Sequence, residues 1–338
     1  MKKFEKILSV ALSGVILAGA SQVTVVSETV DKDVYIGGEP FGVKFYNSGV
    51  IVIELESFYD GSKYICPAKE GGLQVNDIIT EINGEVISTN EDLQNNTLNS
   101  NGNTITFTIE RNGKEFEKEI TPQKNTAGTY VLGAWVRDSC AGIGTITYYD
   151  PDENYFAALG HGICDTDTSA LLPLGYGEVV SANISGITKS VRGKAGSLNG
   201  YFTDNTIGNL TKNSEIGIYG TTIDNLSINK EKIQIADCSE VKKGKAYLIT
   251  TIEGEKARSF DIEIIKICNS SQNSNENFVI KVTNSELIEK CGGIVQGMSG
   301  SPIVQNGKLV GAVTHVFLNN PEEGYGVFAQ NMVANFEE

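Results

Sequence analysis

From residue 142 to residue 317 the chain is a succession of short segments rich in Val, Ile and Thr, separated by turns. Residues 142–149 and 155–160 form the first such pair, around a turn at Asp150-Pro151-Asp152-Glu153-Asn154. Further segments of this kind lie at 184–188, 216–219, 232–236, 245–251, 259–267 and 278–282. Thirty-seven glycines against seven prolines, and the lack of long segments with helical periodicity, fit this pattern. The sequence therefore predicts a mainly β protein built from antiparallel barrels or a sandwich.

The charge balance excludes some classes of partner. The formal net charge is −15 and the isoelectric point is near 4.7. Because no basic stripe is available, we expect neither nucleic acid nor an anionic membrane surface as a partner.

The first residues are typical of an export signal. Lys2, Lys3 and Lys6 precede a mostly apolar stretch from Ile7 to Ala20, and Ala18-Gly19-Ala20 offers small residues for cleavage. Residues 1–26 are thus predicted to be a signal peptide or a retained N-terminal anchor. In either case the body of the protein is expected to be exported, as a secreted or N-terminally anchored molecule.

The cysteines do not indicate a metal site or a disulfide framework. They are scattered through the chain, at Cys66, Cys140, Cys164, Cys238, Cys268 and Cys291. No C-x-x-C pair or His-Cys cluster suggests a metal site, so the sequence predicts neither a metal ion nor another cofactor.

Residues 35–124 carry a compact set of turn and cap signals. Pro67 stands at a first helical position, Gly71-Gly72 ends that short helix, and Asn83-Gly84 makes a tight turn after a strand at 77–82. Thr89 is placed to cap a second helix. Strands are also predicted at 41–45, 49–53, 104–109 and 116–120.

This region closely resembles a PDZ domain, above all in the segment Pro67-Ala68-Lys69-Glu70-Gly71-Gly72-Leu73 and in Asp77-Ile78-Ile79-Thr80-Glu81-Ile82-Asn83-Gly84. The resemblance implies a groove between a strand and a helix that binds an extended peptide by β-augmentation. The peptide could be a segment of the same chain. The alternative is a PDZ module that only packs against its neighbour.

Glycines surround one serine near the end of the chain. Gly297-Met298-Ser299-Gly300-Ser301-Pro302 is followed by an apolar strand, an Asn306-Gly307 turn and a return strand at 309–317. Glycine permits positive φ and close backbone approach. Such a turn allows a nucleophile to direct its own N–H and that of Gly297 towards a developing oxyanion. The alternative is an ordinary serine in a hairpin loop.

The chain has two histidines. His161 stands between Gly160 and Gly162 at a strand end, where the ring can be accessible, and we interpret it as the candidate base. His315 lies on the strand that follows the serine hairpin, and we interpret it as part of a groove wall.

The hairpin resembles the nucleophile hairpin of chymotrypsin-like serine proteases. The chain as a whole resembles the stage IV sporulation protein B family of signalling serine endopeptidases. The resemblance rests on residues 137–145, 158–161, 253–256, 259–264 and 292–303. It implies a chymotrypsin-like double β-barrel peptidase domain at 126–338. It also implies Ser299 as nucleophile, His161 as general base, and the N–H groups of Gly297 and Ser299 as the oxyanion hole. Gly293 and His315 would border the substrate groove.

One position departs from the family pattern. The orienting aspartate of the family falls 15 residues before the serine, where this chain has Asn284 after Val282-Thr283. Three hypotheses follow: a slow Ser299–His161–Asn284 enzyme, an enzyme in which Asp261, Asp165 or Asp167 has taken the role, or a non-catalytic relative. The loss of the corresponding carboxylate in a digestive protease costs about 10⁴ in kcat.

The resemblance implies a biological role as well. The family cleaves itself and a membrane-associated regulator of an intramembrane protease, in the space between the two membranes around the forespore. The competing expectation is a catalytically weak or inactive binding and scaffold protein that acts through its PDZ groove.

Overall fold

The computed structural model describes residues 32–223, 232–268 and 274–337. The predicted signal peptide or anchor at 1–26 lies outside the described residues. Within the described ranges, none of the helices has the length and apolar character needed to cross a membrane.

The N-terminal half of the described chain holds most of the short elements. Its strands are β1 (Asp33–Ile36), β2 (Pro40–Leu55), β3 (Phe58–Tyr59), β4 (Tyr64–Ile65), β5 (Ile78–Ile82), β6 (Glu85–Val86), β7 (Ile105–Arg111), β8 (Lys114–Ile120), β9 (Gln123–Lys124), β10 (Tyr130–Val131), β11 (Ala134–Asp150) and β12 (Tyr155–Ala158). Its helices are α1 (Pro67–Glu70) and α2 (Asn90–Asn99).

The C-terminal half adds longer strands and two more helices. The strands are β13 (Leu174–Thr188), β14 (Ser197–Ser214), β15 (Gly217–Thr222), β16 (Lys232–Gln234), β17 (Gly244–Thr250), β18 (Arg258–Ile267), β19 (Phe278–Val282), β20 (Pro302–Gln305), β21 (Lys308–Val316) and β22 (Glu323–Phe328). The helices are α3 (Ser285–Cys291) and α4 (Ala329–Glu337).

The PDZ unit has the predicted helices. Pro67 occupies the first turn of α1, and Thr89 caps α2 by accepting a hydrogen bond from the Asp92 N–H in a reciprocal capping box. Sheet β2-β5-β7-β8 packs its apolar face against these helices. The buried carboxylate of Asp77 binds Arg111 through two hydrogen bonds of 2.6 and 2.7 Å, which tie the turn before β5 to the end of β7.

The structure corrects one strand prediction in this unit. The two short strands expected at 41–45 and 49–53 form a single strand of 16 residues, β2. Its first half pairs with β11 and β13, and its second half pairs with β5 and with the start of β11. Residues 40–47, which the sequence assigns to the PDZ unit, therefore also supply a strand to the next barrel. A strand with partners along its whole length has no reason to turn at Asn47-Ser48.

Six strands close into a first barrel. The order β11-β12-β15-β14-β13-β2 returns to its start through the β11–β2 pairing. Its interior is filled by large apolar side chains such as Phe41, Phe45 and Phe156. A barrel of this size is closed by side chains and leaves no open channel.

A second barrel has the order β17-β18-β19-β22-β21-β20 and is closed. Phe260, Phe278 and Met298 lie in its core. A further apolar cluster, in which Tyr148, Ala312 and Met332 are buried, joins the first barrel to β21 and α4. The prediction of a mainly β fold, with a PDZ domain followed by a chymotrypsin-like double barrel, is confirmed.

Candidate active site

The turn around Ser299 depends on two glycines with positive φ. Gly297 has φ of +96° and Gly300 has φ of +91°. A Cβ on Gly300 would lie 2.0 Å from the carbonyl oxygen of Thr145 and 2.4 Å from the Leu159 N, so no side chain fits there. Glycine is required at 300 both for its backbone angles and for the close approach of β11.

Strand β11 of the first barrel holds this turn by three hydrogen bonds. The Thr145 hydroxyl donates to the Gly297 carbonyl at 2.8 Å, and the Thr145 N–H donates to the Ser299 carbonyl at 3.0 Å. The Thr147 hydroxyl donates to the Gly300 carbonyl at 2.8 Å. Both threonines are fully buried, so these bonds satisfy carbonyls that water does not reach.

Ser299 itself is oriented by the second barrel. Its hydroxyl donates to the Thr314 carbonyl on β21 at 2.9 Å. The Gly300 N–H donates to the Val313 carbonyl, and the Val313 N–H donates to the Ser301 carbonyl. The serine thus lies at the seam between the barrels, fixed from both sides.

His161 reaches the same seam through an unusual backbone. Leu159 and Gly160 have φ of +66° and +68° directly before it. A Cβ on Gly160 would lie 3.0 Å from Val327 Cγ1 and 3.1 Å from Thr314 Cγ2, both in the second barrel. These distances are at the lower limit of normal packing. The end of β12 therefore packs closely on β21 and β22 and presents His161 at the seam.

One hydrogen bond fixes the tautomer of His161. Its Nδ1 lies 2.8 Å from the Gly162 carbonyl oxygen. A carbonyl oxygen only accepts, so Nδ1 carries the proton and Nε2 keeps a free lone pair. A histidine in this state can accept a proton at Nε2.

The second histidine lies beside the first. The ring centroids of His161 and His315 are 4.8 Å apart and the ring planes are inclined by 31°. His315 is exposed, whereas His161 is partly buried. Both rings line a cleft of about 500 Å³ together with Gly297 and Ser299.

Two backbone donors in this turn are left without acceptors. The N–H groups of Met298, Gly300 and Ser301 donate to carbonyls of the protein. Within the ranges that the structure describes, the N–H groups of Gly297 and Ser299 have no such acceptor. These are the two groups that the sequence assigned to an oxyanion hole, and that assignment stays a prediction.

Burial shifts the protonation of both histidines. The pKa of His161 is lowered from 6.5 to about 4, chiefly because burial disfavours the charged ring and further because of charge repulsion from His315. The hydrogen bond to the Gly162 carbonyl acts in the opposite sense. Burial also lowers the pKa of His315, against the attraction of Glu276. Both rings are therefore neutral at pH 7.

Asn284 lies elsewhere in the structure. It is the N-cap of α3, where its side-chain oxygen accepts the Leu287 N–H at 3.1 Å, and its own N–H donates to the Asp261 carbonyl. It is not among the residues that line the cleft. In the described structure the partner of His161 Nδ1 is the Gly162 carbonyl, so the orienting role expected of Asn284 finds no contact here.

The alternative carboxylates are engaged with other groups. Asp165 and Asp167 both pair with Arg137, at 3.0 and 2.7 Å. The buried Asp165 also accepts two backbone N–H groups of its own turn. Asp261 is exposed on β18. None of the three has a contact with His161 in the described part of the chain.

The two predicted groove residues lie in different surroundings. His315 lines the cleft. Gly293 is buried with φ of +119°, and a Cβ there would lie 2.2 Å from the Pro321 carbonyl oxygen. The cleft is lined instead by the next residue, Ile294.

Sequence reasoning missed the residues that hold the site together. Thr145 and Thr147 looked like ordinary members of an alternating strand, and the Gly162 carbonyl has no sequence signature. The one available signal was the spacing of two threonines on the same face of a strand rich in glycine. No cluster of three or more His, Cys, Asp or Glu residues that could hold a metal ion occurs in the described ranges.

Comparisons with known proteins agree with the two units of the fold. The family model described as SpoIVB peptidase S55 matches residues 128–333, and a PDZ domain model matches residues 30–121. The chain is 36% identical over 67 residues to "Probable protease eep" of Enterococcus faecalis, which covers 20% of this chain and 16% of that protein. The chain spans less than a third of the length of the curated relatives it matches.

Two solved structures are similar in part. The PDZ domain of the SdrC-like protein from Listeria monocytogenes shares 23% identity, covers 26% of this chain and 87% of that chain, and has a TM-score of 0.22. The active form of the Rv3671c protease from M. tuberculosis shares 12% identity, covers 59% of this chain and 74% of that chain, and has a TM-score of 0.34.

The fold and the cleft define a double-barrel, serine-peptidase-type domain joined to a PDZ domain. The match over residues 128–333, which is more than half of the chain, identifies the family. The protein belongs to the SpoIVB peptidase S55 family.

We expect Thr145→Val to destabilise the seam. Valine keeps the shape of threonine but removes the donor to the Gly297 carbonyl, which leaves a buried acceptor unpaired and costs about 1–3 kcal/mol. Urea unfolding measures this loss. Ser139→Ala, an exposed position on the same strand, is the control and should change stability by less than about 0.5 kcal/mol. Equal effects of the two substitutions would contradict the role of Thr145.

Substitutions at Asn284 distinguish its role as the N-cap of α3 from a role in orienting His161. Asn284→Ala should lower the free energy of unfolding by about 1 kcal/mol, and Asn284→Asp should preserve stability, because aspartate is also a good N-cap. Neither should change the labelling rate of Ser299 by a fluorophosphonate by more than a few-fold. An increase of orders of magnitude in Asn284→Asp would instead show that residue 284 orients the base.

The lowered pKa of His161 predicts a loss of stability in mild acid. Between about pH 6.5 and pH 4 the unfolded chain binds a proton at this ring and the folded protein does not, so stability falls as the pH falls. Between pH 7 and pH 5 this contribution is about 1–2 kcal/mol. Urea unfolding of the wild type and of His161→Gln at both pH values measures it, because the variant lacks the titrating group. If both proteins lost the same stability, the ring would not have a lowered pKa.

Proposed function

We propose that the protein is a serine endopeptidase in which Ser299 is the nucleophile and His161 is the general base. The observation that carries this proposal is the turn at 297–300, whose glycines have positive φ and whose carbonyls are held by buried threonines. Among the described residues, the N–H groups of Gly297 and Ser299 have no protein acceptor. The neutral Nε2 of His161 lines the same cleft. Membership of the SpoIVB peptidase S55 family supports the same reaction.

The reaction begins when the Ser299 hydroxyl exchanges one hydrogen-bond acceptor for another. The Ser299 hydroxyl leaves the Thr314 carbonyl and donates to His161 Nε2, which takes the proton as Oγ attacks a peptide carbonyl. The attack creates a tetrahedral oxyanion that the N–H groups of Gly297 and Ser299 stabilise, each contributing roughly 10²–10³ in rate. His161 then returns the proton to the leaving amine, and water hydrolyses the acyl-enzyme by the same steps.

The hydrogen bond from His161 to Gly162 sets the expected rate. The carbonyl keeps the imidazole in the productive tautomer and accepts from the imidazolium that forms. It carries only a partial charge, so it stabilises the imidazolium less than a carboxylate would. The folded protein also disfavours protonation, as the lowered pKa of His161 indicates. We therefore propose slow turnover, which suits a signalling protease that cuts one partner once.

The walls of the cleft favour apolar substrate side chains. Ile143, Ile163, Ile294 and Val316 line it beside Ser299. Arg137 is the one charged residue among the described lining residues, and its guanidinium is paired with Asp165 and Asp167. A charged substrate side chain would find no free partner there, so we propose cleavage next to apolar residues.

The PDZ unit is proposed to govern peptide engagement. Helix α2 and the start of β11 border a groove of about 1000 Å³, in which Leu98 and Trp135 are exposed. Residues 134–137 of the chain pair with β2 and so form the strand that faces α2. An extended peptide could add to this edge by β-augmentation. Because β11 continues to Thr145, the groove and the serine turn share one strand.

Family membership supports a role in sporulation. We propose that the protein is exported, cleaves itself, and cuts a membrane-associated regulator of an intramembrane protease in the space around the forespore. The partners are therefore proteins or peptides, with no nucleic acid and no cofactor required.

The second candidate function is that of a catalytically inactive PDZ scaffold. One observation favours it: the Ser299 hydroxyl donates to Thr314 and no carboxylate contacts His161 in the described part of the chain. In that case the PDZ groove would bind its peptide and the cleft would do no chemistry.

A fluorophosphonate probe distinguishes the two functions. We expect covalent labelling of the purified protein at Ser299, none in Ser299→Ala, and labelling slowed about 10²–10⁴-fold in His161→Gln, because a general base contributes that much. Self-cleavage should disappear in Ser299→Ala. Ser301→Ala, a buried neighbour that donates to Thr250, is the matched control and should still be labelled. An intact, unlabelled wild type would support the scaffold.

A further inference from the structure

The two histidines of the chain meet at one point of the structure. His161 follows the end of β12 in the first barrel, and His315 belongs to β21 in the second. They are separated by 154 positions in the sequence, yet their ring centroids are 4.8 Å apart and both rings line the cleft beside Ser299. The serine reaction as proposed uses His161 and gives His315 no chemical step.

This separation suits a shared metal ion. Zinc binds neutral imidazole at about 2.0–2.1 Å in tetrahedral geometry, so two imidazoles on one ion have ring centroids about 5 Å apart. The observed 4.8 Å is close to that distance. Shared coordination also requires one nitrogen of each ring to point at the ion, so we infer that the side chain of His315, an exposed residue, rotates within the cleft when the ion binds.

His161 makes the hydrogen bond that metal-binding histidines make through their other ring nitrogen. Such a histidine donates its other ring N–H to a carbonyl or carboxylate, which fixes the tautomer and orients the ring. The His161 Nδ1–H donates to the Gly162 carbonyl at 2.8 Å, and this leaves the Nε2 lone pair available in the cleft. The same contact that prepares His161 as a base therefore prepares it as a ligand.

We propose that His161 and His315 bind one zinc ion, or a similar divalent cation that prefers imidazole ligands, and that this ion inhibits the enzyme. The two imidazoles supply two ligands, and water or the Ser299 hydroxyl completes the coordination. A cation on Nε2 of His161 occupies the lone pair that must accept the serine proton. Chelation of the ion restores the base without any change in covalent structure.

Binding of the cation and inhibition by it have different requirements. Binding of the cation needs only the two histidines and their geometry. Inhibition rests also on the proposed peptidase reaction, so it is measured by a different experiment.

The first experiment is calorimetric titration of the full chain with ZnCl₂, on the Ser299→Ala background so that no self-cleavage occurs. We expect one zinc ion per chain, and binding at least about tenfold weaker when either His161→Gln or His315→Gln is added, since each removes one of two protein ligands. Thermal unfolding without metal checks that the variants are folded. Unchanged binding in the folded His315→Gln variant would overturn the proposal.

A matched control tests the other metal-binding side chains of the cleft. Cys140 and Cys164 also line it, and thiolates are strong zinc ligands. The double substitution of both cysteines to serine should leave zinc binding and its dependence on His315 unchanged. Loss of binding in this variant would assign the ion to the thiols and overturn the proposal.

The second experiment follows fluorophosphonate labelling of the wild type with and without ZnCl₂. We expect zinc to slow labelling at Ser299, a chelator to restore it, and the His315→Gln variant to need at least about ten times more zinc for the same effect. Labelling that is insensitive to zinc, in a protein that binds it, would overturn the inhibitory role. A protein that binds zinc through both histidines but is never labelled would instead contradict the peptidase reaction and leave the metal site standing.

Discussion

The hydrogen bonds from Thr145 and Thr147 to the turn at 297–300 are the contacts on which the rest of the site depends. They join a strand of the first barrel to a loop of the second, in a region that water does not reach. Three features of the site follow from these hydrogen bonds. They fix the positive-φ turn, they satisfy the carbonyls of Gly297 and Gly300, and they bring β11 so close that residue 300 must be glycine.

The same strand explains why the PDZ unit and the peptidase unit form one structure. Strand β11 begins as the partner of β2 beside α2, passes along the cleft, and then carries the buried threonines. Strand β2 runs the other way, from the first barrel into the PDZ sheet. Each unit thus contributes a strand to the other. A peptide at the groove beside α2 would contact the strand that holds the turn at Ser299, the proposed nucleophile, which gives the proposed PDZ control of activity a direct physical route.

The hydrogen-bond acceptor of the His161 Nδ1–H is well placed, but it is a neutral carbonyl and carries only a partial charge. The Gly162 carbonyl selects the tautomer that a general base needs. Burial keeps the ring neutral far into the acid range. Together these features mean that the ring accepts a proton reluctantly, which is the basis of the proposed slow turnover. They also leave a free imidazole nitrogen beside a second imidazole, which is the basis of the proposed zinc site.

The sequence by itself determined the mainly β fold, the PDZ unit, the start of α1 at Pro67, the N-cap Thr89 and the glycine-flanked Ser299, because each depends on neighbours within a few residues. Only the tertiary structure decided the partners of those residues. Asn284 stands at the expected spacing before the serine, yet its side chain caps α3, since the Leu287 N–H in the first turn of that helix is only three residues away and is a nearer partner than the imidazole. The pairing of β2 with β11 and β13, the hydrogen bond from Thr145 to Gly297 and the contact of His161 with His315 join residues about 80 to 150 positions apart. No local pattern encodes such contacts, because they arise when two closed barrels pack against each other.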